Sequence, residues 1–254
     1  MPATDGTGDP HSAETHSVTD HDLAELAQLS YAPRERIEAR YGSQMRVYRT
    51  QNARAILLER PERCVVAFTG TDDLQDVRSD IRGHLVPHSV GRVHAGFLAY
   101  LLQIWGRIRT ALLTAGKPVI FCGHSLGAAA ATIAALDWCH AGLTVDRLVT
   151  FGSPRVGDAK FATAVDACSF QHARHVACSD VVTRIPRLAC WPLPPTPYRH
   201  CGTMIYLACD GQRVVNPSRR AICWDRATGR IRGILAAVFR GVSDHSMAGY
   251  ARRT

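Results

Sequence analysis

Residues Ile120 to Gly127 read Ile-Phe-Cys-Gly-His-Ser-Leu-Gly, and Ala128 to Leu136 follow as Ala-Ala-Ala-Ala-Thr-Ile-Ala-Ala-Leu. An apolar run that ends in Gly-x-Ser-x-Gly and passes at once into a strong helix former predicts a strand, a sharp turn and a helix, with Ser125 raised on the turn. Gly123 and Gly127 are small enough for strand and helix to pass close beside that serine. The same turn directs the amide of Leu126 and the positive helix end at any oxyanion formed there. The chemistry implied is nucleophilic acyl transfer. A serine hydroxyl is a weak nucleophile at neutral pH, so an imidazole must take its proton and a carboxylate must hold that imidazole in the right tautomer. In hydrolases of this type the acid and then the histidine follow the nucleophile along the chain. Asp180 is the favoured acid because it lies just past the C-terminal end of an expected strand, the edge where open α/β sheets carry their sites; Asp158 competes with it. His245, in a loop after the last expected helix, is the favoured base, with His200 as its competitor.

Those groups need a scaffold, and the hydrophobic periodicity supplies one. Leu23, Leu26, Leu29 and Tyr31 mark a short helix, and Arg34 to Tyr41 a charged helical turn. Met45 to Arg49, Ala53 to Leu58 and Cys64 to Thr69 read as strands. Phe97 to Leu113 is a helix that Gly116-Lys117-Pro118 ends before the nucleophile strand. Then come a helix to His140, a strand over Arg147 to Phe151, a helix over Ala159 to Cys168 and a strand over His172 to Cys178. Met204 to Val215 reads as a strand pair turning at Asp210-Gly211, Ile231 to Phe239 as a last helix, and Ile185 to Tyr198 as a Pro-rich loop with Trp191 and Leu193. The alternation predicts an α/β fold with a mostly parallel central sheet and helices on both faces.

With 254 residues and 46% hydrophobic side chains, the chain can bury one core, so residues 21–254 are expected to form a single domain. Residues 1–20, rich in Thr, Asp, His, Ser and Gly, read as a disordered tail without the cationic start and apolar stretch of a signal peptide. No apolar stretch approaches the roughly 18 to 20 residues that cross a bilayer. The formal charge of +8 comes from 30 Lys plus Arg against 22 Asp plus Glu, nearly all of the cations being Arg; it favours anionic surfaces, and no nucleic-acid motif accompanies it. Nine cysteines without a Cys-x-x-Cys pair read as reduced core thiols of a cytoplasmic protein. His84 and His88 have zinc-ligand spacing but no partnering Cys or acid, and a solvated loop is the better reading. No metal or organic cofactor is called for.

Several segments together resemble the class 3 lipases, the fungal triacylglycerol lipase type of α/β-hydrolase. Val65 to Thr71 is similar to that family's oxyanion strand and loop, with Thr69 where Arg is commoner, and Val93-His94-Ala95-Gly96-Phe97 to the opening of the helix before the nucleophile. Thr150 to Asp158, Ser179-Asp180-Val181-Val182 with Ile185-Pro186, and Asp244-His245-Ser246 with Tyr250 resemble the segments after the nucleophile helix, around the acid and around the histidine. The resemblance implies Ser125 as nucleophile, Asp180 as orienting acid, His245 as general base, and Thr71 and Leu126 as oxyanion-hole residues. It makes His200 and Asp158 structural, and it gives His94 and His124 hydrogen-bonding roles near the site. Ester hydrolysis through an acyl-enzyme follows from it.

The resemblance also sets the substrate expectations. In the family the segment after the oxyanion loop can form a lid. Here residues 72–82 carry only Leu74, Val77 and Ile81 as an apolar stripe, which implies weak interfacial activation and short or medium acyl esters. A phospholipase acting on anionic membranes, delivered into another cell in the manner of a toxin, is the alternative. A catalytically dead hydrolase-fold binding protein is a further one, disfavoured because it would not need all three triad residues. Acyl transfer or peptide hydrolysis by the same triad stays open at this stage.

Overall fold

The computed structural model describes residues 17–70, 84–186, 197–232 and 245–254. In chain order these form α1 (Asp20–Leu29), α2 (Arg34–Tyr41), β1 (Met45–Arg49), β2 (Arg54–Glu59), β3 (Cys64–Phe68), β4 (Leu85–Pro87), β5 (Arg92–His94), α3 (Ala95–Ala115), β6 (Val119–His124) and α4 (Leu126–His140). They continue as β7 (Val145–Phe151), β8 (Gly157–Asp158), α5 (Ala159–Asp166), β9 (Gln171–Ala177), β10 (Tyr198–Arg199), β11 (Thr203–Leu207), β12 (Arg213–Val215), α6 (Arg219–Arg232) and α7 (Met247–Ala251). The main sheet has the order β1-β2-β3-β6-β7-β9-β11-β12. From β3 to β11 neighbours run parallel, while β1, β2 and β12 pair antiparallel at the two flanks.

The strand alternation sorts side chains between the two faces. Val66, Phe68 and Phe121 point to a core shared with α3, α4 and α5. Val65, Ala67, Ile120 and Cys122 point to a second core with α1, α2 and α7. Every residue of β3 and β6 is buried, as parallel strands covered on both faces must be. Phe68 and Phe121 stack at 6.5 Å, and burying each side chain contributes about 1.5–3 kcal/mol.

Helix starts are set by the sequence. Thr19 and Asp22 form a reciprocal capping box on α1, Asp158 caps α5 through the amide of Phe161, and Gly116 closes α3 in the left-handed region at φ 62°. The first helix therefore begins inside the stretch expected to be a tail. Asp20 is held there by Arg147 and by Nε2 of His175, which donates at 2.9 Å and pulls the carboxyl below its usual value.

Three features depart from the sequence reading. A four-stranded sheet β10-β8-β5-β4, built from very short strands, was not foreseen. Neither was most of α6, Arg219–Arg232; of the helix read at Ile231 to Phe239 only the first two residues are among those described, and they fall at the end of α6. The reading of all nine cysteines as reduced thiols is corrected, because Cys178 and Cys209 are joined in a disulfide with Cα atoms 5.6 Å apart. The physical reason is strand register. Ala177 and Leu207 are paired on the parallel neighbours β9 and β11, so both chains leave the sheet side by side with a cysteine just beyond. The argument for a cytoplasmic chain from uniformly reduced thiols loses that pair.

Candidate active site

Ser125 sits between β6 and α4 with φ 56° and ψ −123°, a conformation that costs a non-glycine residue on the order of 1–3 kcal/mol. The surrounding backbone imposes it. A Cβ on Gly123 would fall on the backbone of Gly127, and one on Gly127 would fall on the backbone of Phe68, so strand and helix meet closer than any side chain allows. The Ser125 amide is tied to the carbonyl of Phe151 at 3.0 Å. As N-cap of α4 its hydroxyl makes no capping bond; it lies instead 2.9 Å from Nε2 of His245.

His245 is hinged between two partners, its Nδ1 standing 2.9 Å from Oδ2 of Asp180. This fixes the tautomer: Nδ1–H donates to the carboxylate and Nε2 is left to accept from the serine. Asp180 is wholly buried just beyond β9, and it accepts from the Val182 amide at 2.8 Å and from the Tyr250 hydroxyl at 2.6 Å. Tyr250 in turn accepts from the Ala177 amide at 3.0 Å, pinning α7 to the end of β9. Gly152, at φ 61°, leaves the room that Asp180 and His245 occupy.

A second layer ties the nucleophile turn to the oxyanion strand. His124 Nε2 donates to the His245 carbonyl at 2.6 Å, and its Nδ1 accepts from the Tyr31 hydroxyl at 2.7 Å. Tyr31 also accepts from the Gly70 amide at 2.9 Å. Burial, and then the neighbouring His245, push the His124 imidazole well below its usual pKa, so it stays neutral with one proton for the His245 carbonyl. The Tyr100 hydroxyl accepts from the Arg54 amide at 3.2 Å and has the Thr69 and Arg54 carbonyls within reach of its single proton, bracing the same strand end.

The structure thus brings Ser125, Asp180 and His245 to one edge of the sheet. Leu126 begins α4, where helix geometry leaves its amide without an intrahelical acceptor. Thr71 lies outside the described residues, as do 72–82, Trp191, Leu193 and Asp244. Asp158 is the cap of α5, and His200 bonds the Thr183 carbonyl at 2.8 Å through Nε2, so neither competitor reaches the serine. His94 caps α3 and stacks on Phe97 at 4.2 Å. His88 faces Asp137 at 3.2 Å rather than His84. Among the described residues Cys178, Cys209 and Asp225 bring three potential metal donors within 4.8 Å, but sulfurs bonded to each other offer no thiolate. The supporting roles of Tyr31 and Tyr250 escaped the sequence reading. Tyr31 closes an apolar helical stripe and Tyr250 belongs to the segment that resembles the family's histidine loop, and those placements were the signals available.

The class 3 lipase family model matches residues 65–189, which hold β3, the nucleophile turn and the acid loop. Over that span, just under half of its length, the chain is similar to the class 3 lipases. A lipase of Rhizomucor miehei is 31% identical over 136 residues, 49% of this chain and 38% of that protein. A secreted mono- and diacylglycerol lipase of Fusarium solani is 37% identical over 99 residues, 37% of this chain and 29% of that one. The matched region therefore spans about a third of the length of these curated relatives. The solved triacylglyceride lipase of R. miehei superposes with a TM-score of 0.63 at 21% identity, covering 78% of this chain and 82% of that one. A triacylglycerol lipase whose catalytic centre is described as a serine protease triad gives 0.64 at 21% identity, over 81% and 86%. At that identity the likeness establishes the α/β-hydrolase fold.

Proposed function

We propose that this chain is a serine hydrolase of the class 3 lipase family that cleaves carboxylic esters of lipids through an acyl-enzyme. The observation that carries the reading is the imidazole of His245 held 2.9 Å from both the Asp180 carboxylate and the Ser125 hydroxyl. Ser125 attacks the ester carbonyl as Nε2 of His245 takes its proton, and the buried carboxylate stabilises the imidazolium without accepting the proton. The amides of Leu126 and Thr71 hold the oxyanion, and the imidazolium protonates the departing alcohol. Water then repeats the sequence on the acyl-enzyme.

The comparisons support this reading by kinship: relatives sharing the matched region are named lipases. A panel of nitrophenyl esters, triglycerides and phospholipids of graded chain length tests it, with Ser125→Ala as the blank. Turnover falls by about five to six orders of magnitude in that variant while its thermal unfolding is preserved. Wild-type rates from Ser125→Ala would remove the assignment. Short and medium acyl esters are the favoured substrates, and a sharp rise in rate above the micellar threshold would speak against them. A specific observation also favours acidic phospholipids: the cationic excess is carried almost wholly by Arg, which pairs with phosphate in a fork geometry.

A further inference from the structure

The helix α6, little of which the sequence analysis foresaw, leaves a surface that catalysis does not use. Its inner side is committed. Asp225 accepts from the Tyr206 hydroxyl at 2.8 Å and from the Cys209 amide at 3.1 Å, and Arg226 donates to the Cys178 carbonyl and lies over the Tyr206 ring. Those contacts seat α6 beside the strand end that carries Asp180, two residues past Cys178. Its outer side is unusual. Trp224 is 74% exposed, and Arg219, Arg220, Cys223 and Ala227 share its exposed face. The strand that leads into the helix exposes Val215 by 62% as well.

Folding does not account for this face. Arg219 and Arg220 stand in the first turn of α6 with no acidic residue among them, where the helix dipole repels cations. Among the described residues neither has an acidic partner within ion-pair distance. From Arg213 to Arg232 the chain carries six arginines and a single carboxylate, that of Asp225, which is turned inward. Arg219 adds to a cationic neighbourhood in which burial first, and then Arg174, Arg199 and Arg219, lower Arg155 to about 10. The exposed indole forgoes apolar burial, and the guanidiniums beside it, without an acidic partner among the described residues, repel one another; an interface that is apolar in depth and anionic at its surface relieves both.

We propose that the outer face of α6, with Trp224 as its apolar tip and Arg219 and Arg220 as its charges, docks the protein on an anionic lipid bilayer. The inference rests on the lipid-ester reading and names the surface that reading would use. Arg226 of the same helix reaches the Cys178 carbonyl, two residues before Asp180, so docking there brings lipid to the helix braced against the strand end that carries the acid. None of the helices among the described residues is long and apolar enough to cross a membrane, so the contact is peripheral.

The test uses the full chain carrying Ser125→Ala, so that bound lipid is not consumed. It is sedimented with vesicles of phosphatidylcholine alone and of phosphatidylcholine with a minor fraction of phosphatidylglycerol. Binding is expected to the anionic vesicles, to weaken as salt is raised, and to bring a blue shift of tryptophan emission. Arg219→Gln with Arg220→Gln lowers the partition about thirtyfold, roughly fivefold per arginine. Trp224→Ala lowers it about tenfold, the effect of half burying a large apolar side chain. With Ser125 restored, the same substitutions leave hydrolysis of a water-soluble nitrophenyl ester at the parent rate. Equal binding to both vesicle types, no binding to either, or substituted chains that bind like the parent would each overturn the docking surface. Vesicle binding that persists in a chain unable to turn over the soluble ester supports the surface while removing the hydrolase reading.

Discussion

The two halves of the site are built by different physics. The nucleophile half, β3, β6 and the start of α4, is a matter of steric closeness: buried strands, backbone against backbone at Gly123 and Gly127, and a serine with no conformational choice. The acid and histidine half is held by polar and covalent ties between segments far apart in sequence. Tyr250 clasps Asp180, His124 clasps the His245 carbonyl, a disulfide joins β9 to β11, and Arg226 reaches the Cys178 carbonyl. The first half is rigid because nothing can move into it. The second keeps its place only while each polar group has its partner, and this separates the consequences of damage. Steric changes move strand, helix and nucleophile together, whereas polar changes in the other half lower activity by misplacing the acid or the base while the backbone around Ser125 stays in place.

The sharpest break lies in the second half. Asp180→Asn keeps the shape of the side chain but offers an amide where His245 Nδ1–H donates, which favours the wrong imidazole tautomer. A fall of about four orders of magnitude in kcat is expected, with little change in unfolding temperature, as for the corresponding change in other triads. Pre-steady-state and steady-state rates on a soluble ester read it. A fall of less than about tenfold would mean that the carboxylate does not orient the base.

Acid sharpens the contrast through stability. Burial holds His124 and His200 well below their usual pKa and His172 down to about 3, with nearby cations or imidazoles adding to the shift. In the unfolded chain each titrates near 6.5, so as pH falls below that value the unfolded state takes up protons that the native state refuses, and stability declines. Each histidine contributes about 1.4 kcal/mol of loss per pH unit until its folded pKa is reached. Three of them give about 4 kcal/mol between pH 7.5 and 5.5, measured as a shift in urea midpoint. His124→Gln should flatten that slope by about a third, and an unchanged slope would show that the imidazole protonates in place.

The same contrast explains what was legible in the sequence. The nucleophile half could be read because its causes are local: an apolar strand, glycines at fixed spacing and a run of alanine, with β3 and α4 found to within a residue or two. The halves of the triad could be paired in advance only because Asp180 follows a strand and a family pattern surrounds His245; their 2.9 Å contacts are a product of tertiary packing. Cys178 and Cys209, 31 residues apart, carry no spacing that announces a bridge, since strand register alone brings them together. The first turns of α6 were missed because Arg219, Arg220 and Trp224 break the expected pattern of an acidic start and an apolar stripe. Strands of two or three residues, such as β8 and β10, are too short for any periodicity to register.

In the nucleophile half, Gly127→Ala is the informative change. The added methyl would overlap the backbone of Phe68, which has no flexible end to yield, so β3 or α4 must shift. Destabilisation of about 3 kcal/mol is expected by chemical denaturation, with activity lost in step because the same shift moves Ser125 and the Leu126 amide. Stability retained with activity lost would contradict the steric account of that turn.

The smallest effect, and the one that best separates the halves, is Tyr250→Phe. The ring and its packing beside Phe151 persist, but Asp180 loses one donor and the buried Ala177 amide loses its acceptor. A hydrogen bond to a charged group is worth about 1.5–3 kcal/mol, so stability should fall by about 2 kcal/mol. A merely structural tyrosine would stop there. A positioning residue also lets the carboxylate rotate away from His245 Nδ1, so kcat should fall about tenfold while KM for a soluble ester holds. Equal losses in kcat/KM and in stability, with kcat itself unchanged, would mean that Val182 and His245 fix Asp180 without help from the C-terminal helix.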